Sequence, residues 1–405
     1  MPGVSFCEGL PLTAQVADRL AVVRSMTHPF PLHSVAYALS GLPTYTVDLE
    51  TKPRDPAHWP YFGSIADSLW ARQGVNGGAL PRHVGLPWQF NSQVDDLGLI
   101  AGPYGAFLGQ QYDPLWSKFE GQPLKIAPKC RHEQEKEYLD PYAAVDADCR
   151  FIIDGAGRLA EELTPDRFHL RNQLLGQFDE PGVRNRSTLA RSYAQQQQRA
   201  VSLLTSTALK ETLDVSTEPA NVREDYGLTL FGQSCLAARR LVEGGTRFVS
   251  VFWDAFGTYF SGGWDTHQNH YPRLKEYLLP GFDRAFAALI RDLEQRGLLD
   301  DTLVICMGEH GRTPQIDSKP VGAARHHWSR VYSAALAGGG TPRGAVIGRS
   351  DALGGDVLET PISPKDIHAT AFHLLGLNPH ALMFDRTGRP YPVAGAGEVR
   401  SELLS

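Results

Sequence analysis

Four short stretches of this chain gather carboxylates, imidazoles and a guanidinium at close spacing: "SMTHPFPLHS" (25–34), "GGWDTHQNH" (262–270), "MGEHGRTP" (307–314) and "AARHHW" (323–328). Carboxylate plus imidazole is the donor set preferred by zinc, manganese and similar divalent ions. Two such ions can stabilise both the attacking and the leaving oxygen of a transferred phosphoryl or sulfuryl group. An arginine such as Arg312 adds a planar fork matched to the oxygens of such an anion. Each cluster also has a structural reading. Asp265 and His267 could be a turn residue and a surface histidine, and Glu309 with His310 an ion pair at a strand end. His326 and His327 could form a packing corner before Trp328, with His327 the one turned to a crevice. Ser25, Thr27, His28 and His33 read first as caps and structural polar residues. His368 and His373, five apart on a helix, read as partly exposed rather than as ligands.

The first three stretches follow the apolar runs "LAVVR", "RFVSVFW" and "TLVICM". The run Thr302 to Met307 is short, β-branched and apolar on both faces, the pattern of a fully buried parallel strand, and Gly308 ends it. In an open parallel sheet the crevice beyond the carboxyl ends of the strands receives ligands, so Glu309, His310 and Arg312 would be delivered there. Around these runs the spacing predicts helices in "YGLTLFGQSCLAARRLVEGG", "FDRAFAALIRDLEQRG" and "SPKDIHATAFHLLG", and a further strand in "VYSAALAGG". In the last helix Ser363 is placed as N-cap, Pro364 at the first position and Gly376 after the end. Alternating strands and helices argue for a parallel sheet with helices on both faces. Residues 80–115, rich in Gly, Pro and aromatics, read as ordered loops. Residues 120–225 read as a polar, largely helical insertion or lid.

The chain has 405 residues, 42% of them hydrophobic, which allows a large core. A net charge of −6 offers no basic face for nucleic acid and no polybasic patch for a membrane. Five cysteines show no paired metal-type spacing; Cys130 and Cys149 could pair in an oxidising compartment. No stretch is apolar for long enough to span a bilayer, and "MPGVSFCEGL" lacks the pattern of a leader.

Together "FGQSCLAARRLVEGGTRFVSVFWD", "GGWDTHQNH", "LKEYLLPGFDRAFAALIRDLEQRGLLDDTLVICMGEHGRTPQI", "HHW", "LAGGG" and "SPKDIHATAFHLLGLNP" resemble the bacterial domain of unknown function 1501 family, a sulfatase-like branch of the alkaline phosphatase superfamily. Weaker matches in "LAVVRSMTH", "GAFLGQQYDP" and "RNQLLGQFD" extend the resemblance over most of the chain. The resemblance implies an α/β fold, a mostly parallel sheet sandwiched between helices, in a single domain over 1–405 with metals at the carboxyl edge of the sheet. It implies a ligand set of Asp265, His267, Glu309, His310 and His327. Asp265 and His267 match the family's "WDTH" word, and Glu309 and His310 stand where sulfatases carry "DHG". His327 follows His310 at nearly the separation used by the superfamily's phosphomutases.

Several positions depart from the pattern. Family members usually read "GEFGRTP" where this chain has His310, and an aspartate where it has His326. They begin with a strand and a "GGPSQLD"-like loop, often behind a twin-arginine export signal, which this sequence does not include. The resemblance therefore implies a truncated chain lacking the first strand, from a protein that is periplasmic or secreted if its leader has been lost. "PFPLHSVAYALSGLP" resembles the sulfatase helix ending in "LLTG"; counting back lands near Pro31, where no cysteine stands. Ser34, or otherwise Thr27, is then the hydroxyl nearest the nucleophile's place, and a water is the alternative attacker. The expected activity is a metal-dependent hydrolase of sulfate or phosphate esters, small-molecule or carbohydrate, using zinc, manganese or calcium, with Arg312 orienting the anion. The alternatives are a non-catalytic metal-binding relative that acts as a binding or surface protein, and an inactive fragment.

Overall fold

The computed structural model describes residues 4–30, 33, 35–42, 52–75, 78, 80–95, 99–128, 137–157, 164–178, 197, 200–201, 204, 206–257 and 263–405. Apolar side chains crowd both faces of the first strand, β1 (Leu20–Met26), which is therefore driven to the inside of a sheet. Helix α1 (Phe62–Arg72) and the strands β2 (His83–Leu86) and β3 (Leu115–Trp116) follow. Then come α2 (Leu230–Glu243), β4 (Phe248–Val251), α3 (Leu279–Gln295) and β5 (Val304–Met307). A two-residue ribbon, β6 (Gly311–Arg312) with β7 (His327–Trp328), leads into β8 (Tyr332–Ala337), β9 (Ala345–Ile347) and α4 (Pro364–Leu374). The capping box expected on α4 is present, with Ser363 and Asp366 satisfying each other's end of the helix.

The fold is mixed α/β. One sheet runs β9-β1-β8-β5 and a second runs β3-β2-β4. The second is parallel throughout. The first departs from the expected parallel sheet: β1 pairs parallel with β9, but β8 is antiparallel to both of its neighbours, with Leu20 opposite Ala337 and Ala337 opposite Val304. The reason lies between β5 and β8. A parallel return needs a crossover, usually a helix, whereas this connection is the β6–β7 ribbon and its loops, so the chain comes back reversed. β5 is also half-buried along its length rather than fully buried. Its alternation still feeds two cores, Ile305 and Met307 on one face, Val304 and Cys306 on the other. "HVGL", read as loop, is a buried strand held between two parallel neighbours.

Described residues of the 120–225 region, including Tyr142, Phe151, Leu209 and Val215, pack in one cluster with β2 and α2. Cys130 lies outside the described residues, and Cys149 is buried against Arg223. His368, expected to be partly exposed, is a core residue: its Nε2 donates to the Ala38 carbonyl at 2.8 Å and its ring stacks on Phe62. Burial pushes its imidazole down to about 4. No helix among the described residues is long and apolar enough to cross a membrane.

Just beyond β4, buried Asp254 ties two loops together, accepting from Trp88 Nε1 (3.1 Å), the Asn91 amide (2.7 Å) and the Ala255 amide (2.8 Å). Burial pushes its carboxyl up to about 7, against the pull of those donors. A carboxyl whose pKa is higher folded than unfolded contributes stability that is present at low pH and is lost as pH rises toward about 7. Asp254→Asn is expected to remove that slope between pH 4 and 7. It should also cost about 1–3 kcal/mol, because an amide nitrogen would face an N–H donor. Urea unfolding of both proteins across that range checks both effects.

Candidate metal centre

Three loops beyond strand ends converge. The loop after β4 carries Asp265 and His267, the loop after β5 carries Glu309 and His310, and the β6–β7 ribbon sets Arg312 directly across from His327. The first and third are laced together: the amides of Asn269 and His270 donate to the carbonyls of Val321 and Ala323 at 3.2 and 3.1 Å. Gly322 makes this approach possible. It has φ +72°, and a Cβ there would lie 2.5 Å from Asn269 Oδ1.

At the centre, His267 Nε2 and His327 Nε2 are 2.8 Å apart, and Asp265 Oδ1 lies 3.0 Å from the first and 3.2 Å from the second. An ion held tetrahedrally at about 2.0–2.1 Å would set its ligands about 3.3 Å apart. The three atoms are therefore close to that spacing. Arg312 Nη2 donates to the same Oδ1 at 2.8 Å and to the Trp264 carbonyl at 2.9 Å, so its guanidinium braces the carboxylate. His326 stands behind, its Nδ1 3.1 Å from His267 Nδ1. A partner on the second ring nitrogen is what orients a ligating imidazole.

His33 occupies the middle of the cluster. Its Nε2 is 3.1 Å from Asp265 Oδ2 and its Nδ1 3.4 Å from Glu309 Oε1, and its ring meets that of His327 edge-on at 4.3 Å. Burial works against charging this ring, but its hydrogen bonds to the two carboxylates raise it to about 9. Burial likewise opposes ionisation of those carboxylates. The bonds from His267, His327 and His33 nevertheless hold Asp265 well below the usual range, and His33 with His310 holds Glu309 at about 2.

His310 shows whether the site fits a cation. Its Nδ1 donates to the Gly311 carbonyl at 3.0 Å, which leaves Nε2 as a lone pair. Nε2 is buried with no hydrogen-bond partner, and Glu309 Oε1 is 3.8 Å away. Burial, with the nearby charge of His327 and Arg312, pushes this imidazole down to about 4 despite Glu309, so it stays neutral. A buried, neutral imidazole nitrogen with its lone pair unshared and a carboxylate nearby has the chemistry of a possible metal donor. Two ligand groups result, His33 with Asp265, His267 and His327, and His33 with Glu309 and His310.

The remaining sequence candidates fall elsewhere. Ser34 lies outside the described residues. Ser25 donates to the Thr360 carbonyl at 2.5 Å, and the Thr27 amide donates to the Ile362 carbonyl, so both serve the sheet edge. His28 is buried; its Nε2 donates to the Glu309 carbonyl at 2.6 Å and its Nδ1 accepts from the Phe30 amide, which pins the backbone of Glu309. His270 bonds Thr266 Oγ1 at 2.7 Å. Sequence reasoning left His33 out of the ligand set and gave His326 no role. His33 follows the end of β1 as Glu309 follows the end of β5, and that parallel was the available signal.

The fold and site thus define a mixed α/β protein whose strand ends surround a histidine–carboxylate cluster suited to a divalent cation. The chain belongs to the family described as Protein of unknown function (DUF1501), which it matches over residues 1–404. Comparison with curated proteins finds no match. Among solved structures, Ps i-CgsB aligns over 91% of this chain and 67% of its own, at 10% identity and a TM-score of 0.41. The figures are the same for Ps i-CgsB in complex with k-i-k-neocarrahexaose. The phosphonate monoester hydrolase SpPMH from Silicibacter pomeroyi aligns over 97% and 73%, at 12% identity and a TM-score of 0.34.

Proposed function

We propose that the chain is a metal-dependent hydrolase of sulfate or phosphate esters with an architecture of the alkaline phosphatase and sulfatase kind. The observation that carries this reading is the convergence of His267 Nε2, His327 Nε2 and Asp265 Oδ1 on one point, braced by Arg312. A divalent cation bound there would supply Lewis-acid polarisation of an ester oxygen. Asp265, His267 and His327 would hold it, and Glu309 and His310 form a second group of potential donors beside it. Imidazoles outnumber carboxylates in this set, which fits zinc better than calcium, an ion that takes oxygen ligands. Arg312 would keep Asp265 Oδ1 aimed at the cation and present positive charge to the bound anion. Ser34, one residue beyond His33, or a water is the proposed attacking group. The chemical class of the substrate would be a sulfate or phosphate ester of a carbohydrate or small molecule.

The test is a panel of aryl sulfates and aryl phosphates, assayed with zinc or manganese restored and again after chelation. The expected outcome is hydrolysis that appears with metal and disappears with chelator. Stoichiometric metal with no turnover of either ester class would instead favour the non-catalytic, metal-binding relative.

A further inference from the structure

A single cation cannot use all of the donors assembled here. Ligands held at about 2.1 Å from one ion lie within about 4.2 Å of each other. The potential donors instead divide into two groups, Asp265, His267 and His327 on one side and Glu309 and His310 on the other, and only His33 belongs to both. The division follows the geometry of an imidazole, whose two nitrogens point away from each other. His33 Nε2 faces Asp265 Oδ2 at 3.1 Å, and His33 Nδ1 faces Glu309 Oε1 at 3.4 Å. The second group has its own mark of a ligand site, the lone pair of His310 Nε2. That side chain is 2% exposed and its Nε2 has no hydrogen-bond partner.

We propose that His33 ligates two divalent cations at once, one through each ring nitrogen. Nε2 completes a set with Asp265, His267 and His327, and Nδ1 completes a set with Glu309 and His310. The inference rests on the metal-binding reading above and adds to it a second ion and a residue that joins the two. In the metal-free protein both ring N–H groups are turned to carboxylates; as the two ions bind, both ring protons pass to solvent and each nitrogen lone pair takes a cation. The ions would sit roughly 6 Å apart across the ring, given about 2.0–2.1 Å for each metal–nitrogen bond.

The test titrates chelator-stripped full-length protein with cobalt(II), read by visible absorption for stoichiometry and by electron paramagnetic resonance for coupling. The expected wild-type result is two ions per chain, with the resonance of the first attenuated as the second fills, because a bridging imidazolate couples their spins. His33→Ala should bind one ion, at least about tenfold more weakly, since removing a partner of a bound ligand alone costs 10–100-fold. Free imidazole added to this variant should restore the second ion. Glu309→Gln, which leaves the first set whole, should bind one ion at close to wild-type affinity and show no coupling, and it serves if His33→Ala does not fold. A wild type that binds one ion, or a His33→Ala protein that keeps two coupled ions, overturns the bridge and leaves the metal-binding reading standing. A wild type that binds none overturns both.

Discussion

Asp265→Asn should empty the site and abolish turnover. Both carboxylate oxygens of Asp265 face the cluster: Oδ1 faces His267, His327 and Arg312, and Oδ2 faces His33. An amide in its place supplies one neutral oxygen and one N–H₂ group. That N–H₂ would face either the Arg312 guanidinium or an imidazole that must itself act as donor or ligand. Bound zinc or manganese should fall from stoichiometric to background. Ester hydrolysis should fall by roughly 10³-fold or more, because the several kcal/mol that a cation contributes to charge stabilisation convert at about 1.4 kcal/mol per tenfold. The fold should survive, since the side chain lies in a half-open crevice and no core cluster depends on it. Metal analysis, steady-state kinetics and far-UV circular dichroism on one preparation check the three parts together.

Arg239→Met should be the most destabilising single change away from the site. The Arg239 side chain is 1% exposed and lies 2.9 Å from Glu218, 2.7 Å from Glu243 and 2.8 Å from Asp292, a cation surrounded by three carboxylates between α2, α3 and the segment before them. The contacts of Nη2 and Nε are off the hydrogen-bond axis, so attraction between charges rather than directed bonding holds them. Met keeps the volume but leaves Glu218 and Asp292 with less compensation. Arg240 still reaches Glu218 at 2.6 Å, and Arg296 reaches Asp292 at 2.7 Å and the exposed Glu243 at 2.9 Å. Removing one partner of a buried ion cluster costs about 3–5 kcal/mol. Urea unfolding at pH 7 should show a loss in that range.

The local periods made the elements legible. The short apolar runs "LAVVR" and "RFVSVFW" marked β1 and β4, and 3.6-residue spacing marked α3 and α4. The direction of β8 was not legible, because "VYSAALA" carries no trace of which way it runs. Direction is set by the connection, and a ribbon as short as Gly311–Arg312 with His327–Trp328 leaves no periodic signal. The candidate site shows the same division. Polar clusters past strand ends pointed to this crevice, the family resemblance implied Asp265, His267, Glu309, His310 and His327 as the ligand set, and the structure brings these side chains to two neighbouring groups. What joins the groups is His33, which stands in the Pro-rich stretch "PFPLH", where no apolar period marks a position. His368 erred the other way: its period placed it at a helix boundary with solvent, whereas its contact with Ala38 puts it inside.

The central claim is that a divalent cation sits where Asp265, His267 and His327 meet. Anomalous X-ray diffraction at the zinc and manganese edges, on crystals grown without chelator and supplied with either metal, tests it most directly. An anomalous peak is expected about 2.0–2.2 Å from His267 Nε2, His327 Nε2 and an oxygen of Asp265. Well-ordered crystals with these three side chains in place and no anomalous peak among them would contradict it.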